Sequence, residues 1–318
     1  MGRASRGKVA VVLLLTAGAA RGGDPWRPRI PLGLDGLLPV PAGNPLTAEG
    51  VSLGRELFFD PRLSRDRSLS CASCHRPEWR FTDDRPLAVG VFGRTGGRRT
   101  PSLLNRAYGR AFFWDGRETT LEEQVVQPIV NPKEMDLPLE EAVARLRPRV
   151  QTVEELSYAL ASYIRTVLAG DSPYDRYLAG DASTLNARER QGLTVFRGKG
   201  NCVACHLGPN LTDEQFHNTG IGWRDGGFID LGRFAVTNDQ RDRGAFKTPT
   251  LRNVARFGPY MHDGSLATLA DVVEHYDKGG LANPYLDPDI EPLHLSAEEK
   301  DALIAFLGSL TGPVREGI

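Results

Sequence analysis

Two stretches of this chain carry residues whose types and spacing can do chemistry. Cys71-Ala72-Ser73-Cys74-His75 has a second copy in Cys202-Val203-Ala204-Cys205-His206. Two thiols three positions apart can each add to one vinyl group of a haem, and the histidine that follows them is placed to bind the iron. Each motif therefore reads as a site of c-type haem attachment, with His75 and His206 as the iron ligands. The alternatives are a zinc ribbon and a pair of disulfides. A ribbon closes its two cysteine pairs within roughly 15 to 20 residues, whereas these pairs stand 131 positions apart and each brings its own histidine. The motifs consume all 4 cysteines of the chain, so none is left for a disulfide framework.

A haem held by one histidine has an opposite axial position that is filled or open, and this separates electron transfer from chemistry. An internal repeat lets the two halves be compared there. Thr100-Pro101-Ser102-Leu103-Leu104-Asn105 matches Thr248-Pro249-Thr250-Leu251-Arg252-Asn253, Asp115-Gly116 matches Asp263-Gly264, and Thr120-Leu121 matches Thr268-Leu269, all at an offset of 148. Three separated blocks in one register predict two copies of one haem domain. In the second copy Thr268 and Asp271 spell a capping box, and Leu269, Val272, Val273 and Tyr276 share one helical face. Tyr276 thus points toward the core, either as a ligand of the second iron or as a buried tyrosine bonded elsewhere.

The same register sets Pro128 opposite Tyr276, and proline offers no ligand atom. Of the 6 histidines only His75 lies in the first half, and beyond Met1 the methionines are Met135 and Met261. Unless Met135 binds iron, haem 1 is five-coordinate or water-bound and open to a small ligand. Leu121, Gln124, Val125 and Pro128 form the inward face there, with the amide of Gln124 where the other copy has a valine. Glu134 follows within Asn131-Pro132-Lys133-Glu134-Met135. A carboxylate beside an open haem can take the proton of bound hydrogen peroxide and return it to the departing oxygen, and an apolar setting raises its pKa toward that task. Taken alone, a glutamate is more often a surface charge.

The elements that must position these groups read as helices. Thr47-Ala48-Glu49 opens one through Leu53, Leu57 and Phe58, and Asn186-Ala187-Arg188-Glu189 opens its counterpart before the second motif. Thr152-Val153-Glu154-Glu155 and Ser296-Ala297-Glu298-Glu299 introduce the amphipathic helices that close each half. With almost no strand-like alternation, the expected class is all-α, two cytochrome c-like domains with one covalent haem each. The expected division is a signal peptide over 1–20, an extended Gly/Pro-rich lead-in over 21–45, an N-terminal domain over 46–170 and a C-terminal domain over 171–318. The boundary falls near Gly170 to Ser183, where the helical pattern stops. A basic start (Arg3, Arg6, Lys8), a short apolar run from Val9 to Thr16 and small residues after it suggest export to the periplasm. The run is too short to span a bilayer. With 39 basic and 40 acidic residues, nothing argues for nucleic acid or an acidic membrane surface.

Taken together, the haem motifs, Trp114-Asp115-Gly116-Arg117, Leu121-Glu122-Glu123-Gln124, Asn131-Pro132-Lys133-Glu134-Met135, the Thr248 to Asn253 block and Tyr260-Met261-His262-Asp263-Gly264 resemble the bacterial dihaem cytochrome c peroxidase and MauG family, over roughly residues 46 to 312. The resemblance implies two covalently bound haem c groups, Gln124 and Glu134 in the distal pocket of the peroxidatic N-terminal haem, and Trp114 between the haems as an electron relay. It implies hydrogen peroxide as substrate. The other partner is a periplasmic electron donor, a small c-type cytochrome or a cupredoxin, or else a protein substrate.

Departures from the family pattern shape the expectation. Its peroxidases hold the second haem with a methionine at the position of Tyr276; a tyrosine there looks like MauG, which oxidises tryptophans in a partner protein. Phenolate oxygen stabilises oxidised iron, whereas methionine raises the reduction potential. Haem 2 is then a poor receiver of electrons from an ordinary cytochrome and a better store of oxidising equivalents. Met261 and His275 are the alternatives to Tyr276. The tryptophan that MauG carries two residues before its second motif is Gly200 here. The family's interdomain calcium site uses an asparagine just ahead of the Thr-Pro pair, where this chain has Arg99, so the guanidinium is expected to replace the ion's charge. The readings are therefore a dihaem peroxidase, a MauG-like modifier of a partner protein, and a non-catalytic dihaem electron carrier.

Overall fold

The computed structural model describes residues 26–317. The expected signal peptide and the first residues of the lead-in lie outside them.

Each half is framed by a crossed pair of helices. Ala48–Phe58 begins where the Thr47 hydroxyl accepts the Gly50 N–H at 3.0 Å, and it packs on Val153–Arg165, itself capped by Thr152. In the second half Ala187–Arg197 packs on Ala297–Ser309, and both start in capping boxes. A glycine stands at each crossing. A Cβ on Gly54 would lie 1.9 Å from the Ala159 carbonyl oxygen, and one on Gly192 would lie 1.9 Å from that of Ala302. The helix backbones approach closely only because these positions carry no side chain. One turn on, Phe58 meets Tyr163 and Phe196 meets Phe306, each with ring centroids 5.1 Å apart. Burying such a ring contributes about 1.5–3 kcal/mol.

The repeat read from sequence is also a repeat of backbone shape. Asn105 and Asn253 both adopt left-handed φ, 59° and 60°, and each opens a 3₁₀ turn, Arg106–Tyr108 and Val254–Arg256. Phe113 and Met261 (φ 65° and 70°) and Gly116 and Gly264 (67° and 66°) follow in the same register. So do the isolated antiparallel bridges Phe112 to Glu118 and Tyr260 to Leu266. The copies part at the next helix. Leu269–Asp277 runs unbroken, whereas its counterpart divides into Leu121–Gln124 and Gln127–Val130. Pro128 explains the break: it lacks an N–H, and its ring cannot pass the carbonyl of Gln124 in a continuous helix.

The junction differs from the sequence expectation. The helical pattern does not stop between Gly170 and Ser183, because Pro173–Leu178 is a short helix with Ser172 and Asp175 forming its capping box. Asp175 is fully buried and receives Arg252 Nη1 on both carboxylate oxygens, at 2.6 and 2.5 Å. Nor is the lead-in a loose tail. Leu32 N–H donates to Asp171, Arg252 Nη2 donates to the Gly33 carbonyl at 2.7 Å, and buried Asn44 donates to Glu122 at 2.7 Å. The two halves share one continuous apolar core. The chain is helix-rich rather than wholly helical. Three two-residue antiparallel pairs occur among the described residues: Leu168–Ala169 with Val314–Arg315, Phe216–His217 with Phe246–Lys247, and Trp223–Arg224 with Gly227–Phe228. Among the described residues no helix is long and apolar enough to cross a membrane.

Candidate active site

Each cysteine-histidine motif lines its own cavity. The first, of about 460 Å³, is lined by Cys71, Cys74 and His75 together with Gln124, Val125, Pro128 and Glu134. The second, of about 210 Å³, is lined by Cys202, Cys205 and His206 together with Leu269, Val272, Val273 and Tyr276. The face expected of the second helix is therefore the cavity face. In the first copy Leu121 departs from expectation: it packs in the buried core and does not line the cavity.

The two motif histidines are prepared alike. His75 Nδ1 lies 3.0 Å from the Phe81 carbonyl oxygen and His206 Nδ1 lies 3.0 Å from that of Leu211. A carbonyl only accepts, so Nδ1 carries the proton and the Nε2 lone pair is left for a metal. Burial keeps both rings neutral, pushing His75 down to about 4 and His206 down as well. Burial also pushes the Cys71, Cys74 and Cys202 thiols up, to about 12, 11 and 12. A zinc ribbon brings its two cysteine pairs to one ion, whereas here each pair lines a separate cavity. The residues present fit a haem c in each cavity.

On the first cavity, burial raises the Glu134 carboxyl above its ordinary value, against a hydrogen bond from Asn131 and the nearby charge of Arg117. Asn131 Nδ2 donates to Glu134 Oε1 at 2.7 Å, and the Glu134 carbonyl accepts the Val91 N–H at 2.8 Å, which pins the loop. Gly90 makes this approach possible, since a Cβ there would lie 2.1 Å from the Lys133 carbonyl oxygen. Met135 lines the same cavity from the core. Sequence reasoning named Glu134 but not its holder Asn131, three residues earlier in the same motif.

On the second cavity, Tyr276 is half-buried and its phenol is held protonated by burial. His275 does not line that cavity; its Nε2 lies 3.0 Å from the Thr219 carbonyl oxygen. His217 does line it, but its Nδ1 lies 2.6 Å from Asp287 Oδ2 and its Nε2 2.8 Å from Asp213 Oδ2, so both ring nitrogens are taken by carboxylates rather than turned to an iron. Met261 lines both cavities.

Trp114 also lines both cavities. Its indole Nε1 donates to the Arg99 carbonyl at 2.8 Å and its own carbonyl accepts the Lys247 N–H at 2.8 Å. Lys247 belongs to a buried cluster that the sequence did not reveal. Glu214 binds Arg106 at 2.8 Å and Lys247 Nζ at 3.4 Å, which ties the two copies together beside Trp114. The only local signal was Lys247 immediately ahead of the repeated Thr-Pro pair.

Comparison with known proteins bears directly on this arrangement. The family model described as di-haem cytochrome c peroxidase matches residues 48–183. The chain is 42% identical over 288 residues to the methylamine utilization protein MauG of Methylorubrum extorquens, covering 86% of this chain and 81% of that one. The chain belongs to the bacterial dihaem cytochrome c peroxidase and MauG family. Within the family it is also 35% identical over 289 residues to the cytochrome c551 peroxidase of Nitrosomonas europaea, covering 86% and 83% of the two chains. Its fold matches the crystal structure of a MauG-like protein associated with microbial copper homeostasis with a TM-score of 0.80 at 33% identity, over 92% of this chain and 96% of that one. As a family member the protein is a haem oxidoreductase with two cytochrome c-like domains and two covalently bound haem c groups.

Proposed function

We propose that the protein is a periplasmic dihaem peroxidase of the MauG-like branch, with peroxide bound in the first cavity and the second haem held by His206 and Tyr276. The observation that carries this reading is the asymmetry of the cavities. Pro128 stands in the first where Tyr276 stands in the second, and a carboxylate with a raised pKa lines the first. The haem of the first cavity supplies an iron that binds peroxide and accepts its oxidising equivalents.

The chain's own residues do the rest. Glu134, held by Asn131, would take a proton from one peroxide oxygen and return it to the other as it departs. Gln124 orients the bound peroxide through its amide. Trp114, on the wall of both cavities, serves as the electron relay. We place the domains at residues 46–170 and 171–318, one haem motif to each, with both cavities walled in part from across that boundary. A Glu134→Gln holoprotein tests the reading: haem content stays unchanged while peroxide turnover falls by about 10²–10⁴.

Tyr276 favours a second reading, oxidation of a partner protein in the manner of MauG. An oxygen ligand stabilises oxidised iron and suits a haem that stores oxidising equivalents rather than one that receives electrons from a small cytochrome or cupredoxin. Gly200, which lines the second cavity, supplies no indole there, so the route to such a partner differs from MauG. Trapping a covalently altered partner after peroxide addition distinguishes this reading from donor-driven turnover.

A further inference from the structure

Arg99 sits at the junction of the two copies with 6% of its surface exposed. Its guanidinium hydrogen-bonds to main-chain carbonyls rather than to a carboxylate. Nη1 donates to Thr100 at 3.3 Å, and Nη2 donates to Asp83 at 2.8 Å and to Phe257. Asp83 and Thr100 belong to the first copy and Phe257 to the second. The backbone of the same residue extends the junction. Its N–H donates to the His262 carbonyl at 2.7 Å, and its carbonyl accepts the Trp114 indole at 2.8 Å.

Carbonyl oxygens from separate segments converging on one buried positive charge are what an oxygen-ligated cation site provides. Calcium takes six to eight oxygens, and here three carbonyls are already committed to a monovalent cation that the chain itself supplies. A divalent ion placed among them would be repelled by that guanidinium. The residues therefore do not fit the calcium that the family resemblance implies.

We propose that Arg99 is a built-in cation: its guanidinium joins the two copies through the Asp83, Thr100 and Phe257 carbonyls, and its own carbonyl fixes the indole of Trp114. The protein needs no divalent ion at this junction. Arg99 is a positioning residue, acting on the relay through Trp114. Only that last consequence rests on the function proposed above; the clamp itself is read from metal content and stability without turnover.

The test compares the wild-type holoprotein with Arg99→Lys and Arg99→Asn. After passage over a chelating resin, the wild type is expected to hold well under one calcium per chain, and its thermal midpoint to be unmoved by chelator or added calcium chloride. Its optical response to one equivalent of peroxide is expected to be equally unmoved. Arg99→Asn loses the charge. Its midpoint should drop and its second-haem response slow by about tenfold or more, as misplacement of a positioned group does, and added calcium should restore both. Arg99→Lys keeps a charge and should stay calcium-insensitive. A wild type that retains one calcium per chain, or whose midpoint falls on chelation, overturns the proposal, as does an Arg99→Asn midpoint that calcium does not move. If Arg99→Asn does not fold, the wild-type and Arg99→Lys measurements decide. If no variant shows a second-haem response, the relay reading fails while the calcium and midpoint data still judge the clamp.

Discussion

Asn131 Nδ2 donates to Glu134 Oε1 at 2.7 Å, and both side chains line the first cavity. The amide fixes where the carboxylate points, and burial fixes when it titrates. In the proposed role Glu134 is ionised to accept the peroxide proton, so its raised pKa should put the acid limb of kcat/KM above the ordinary glutamate value of about 4.3. Activity falls as pH drops through that limb. The Asn131 hydrogen bond opposes the upward shift, so Asn131→Ala should move the limb to higher pH, and Glu134→Gln should abolish it along with most of the turnover. A pH profile of kcat/KM for peroxide checks both.

Trp114 borders both cavities, so Trp114→Phe should leave haem content intact but slow the arrival of oxidising equivalents at the second haem. Stopped-flow spectra after one equivalent of peroxide would show the first haem changing before the second instead of with it. The variant also leaves the Arg99 carbonyl without its indole donor. Thermal or denaturant unfolding should show a loss of about 1–3 kcal/mol.

Tyr276→Met exchanges an oxygen for a sulfur at the second cavity. The reduction potential of haem 2 should rise by about one to a few hundred millivolts, because axial-ligand identity spans roughly 0.8 V across haem proteins. Redox titration checks this. His275→Ala should leave the potential near wild type, since that ring lies off the cavity.

Glu214 gives a stability prediction with a defined sign. Burial alone would raise its carboxyl, but the charges of Arg106 and Lys247 with their hydrogen bonds hold it down to about 2. A depressed folded-state pKa contributes stability above the unfolded value of about 4.3, and this is lost as pH falls toward 2. Glu214→Gln leaves two buried cations without their partner and should cost about 3–5 kcal/mol near neutral pH. Its midpoint should depend less on pH between those values than that of the wild type.

What the sequence made legible was local. Haem attachment requires contiguous residues, and helix caps such as Thr47, Thr152, Thr268 and Ser296 act within three positions of themselves. The constant register between the copies then placed Pro128 against Tyr276 without any structure. Long-range pairs were not legible. Arg252 meets Asp175, Arg106 meets Glu214 and Asn44 meets Glu122 across distant parts of the chain, and no periodicity marks one charged residue for another. The Pro173–Leu178 helix carries local signals, Ser172 as cap, Pro173 in its first turn and Asp175 closing the capping box, but it is too short to show an apolar periodicity. The division of the Leu121 to Val130 segment is readable from Pro128 alone, whose ring breaks the helix as surely as its missing ligand atom leaves the cavity open.

The proposed pair, an open first haem and a tyrosine-held second haem that share one oxidation, has a distinct magnetic signature. The most direct test is the electron paramagnetic resonance spectrum of the oxidised holoprotein, before and after one equivalent of hydrogen peroxide and without prior reduction. One high-spin and one low-spin haem are expected, both losing signal together on peroxide addition. Two low-spin haems indifferent to peroxide would contradict this, because the first iron would then carry a sixth ligand, with Met135 and Met261, which both line its cavity, as the candidates.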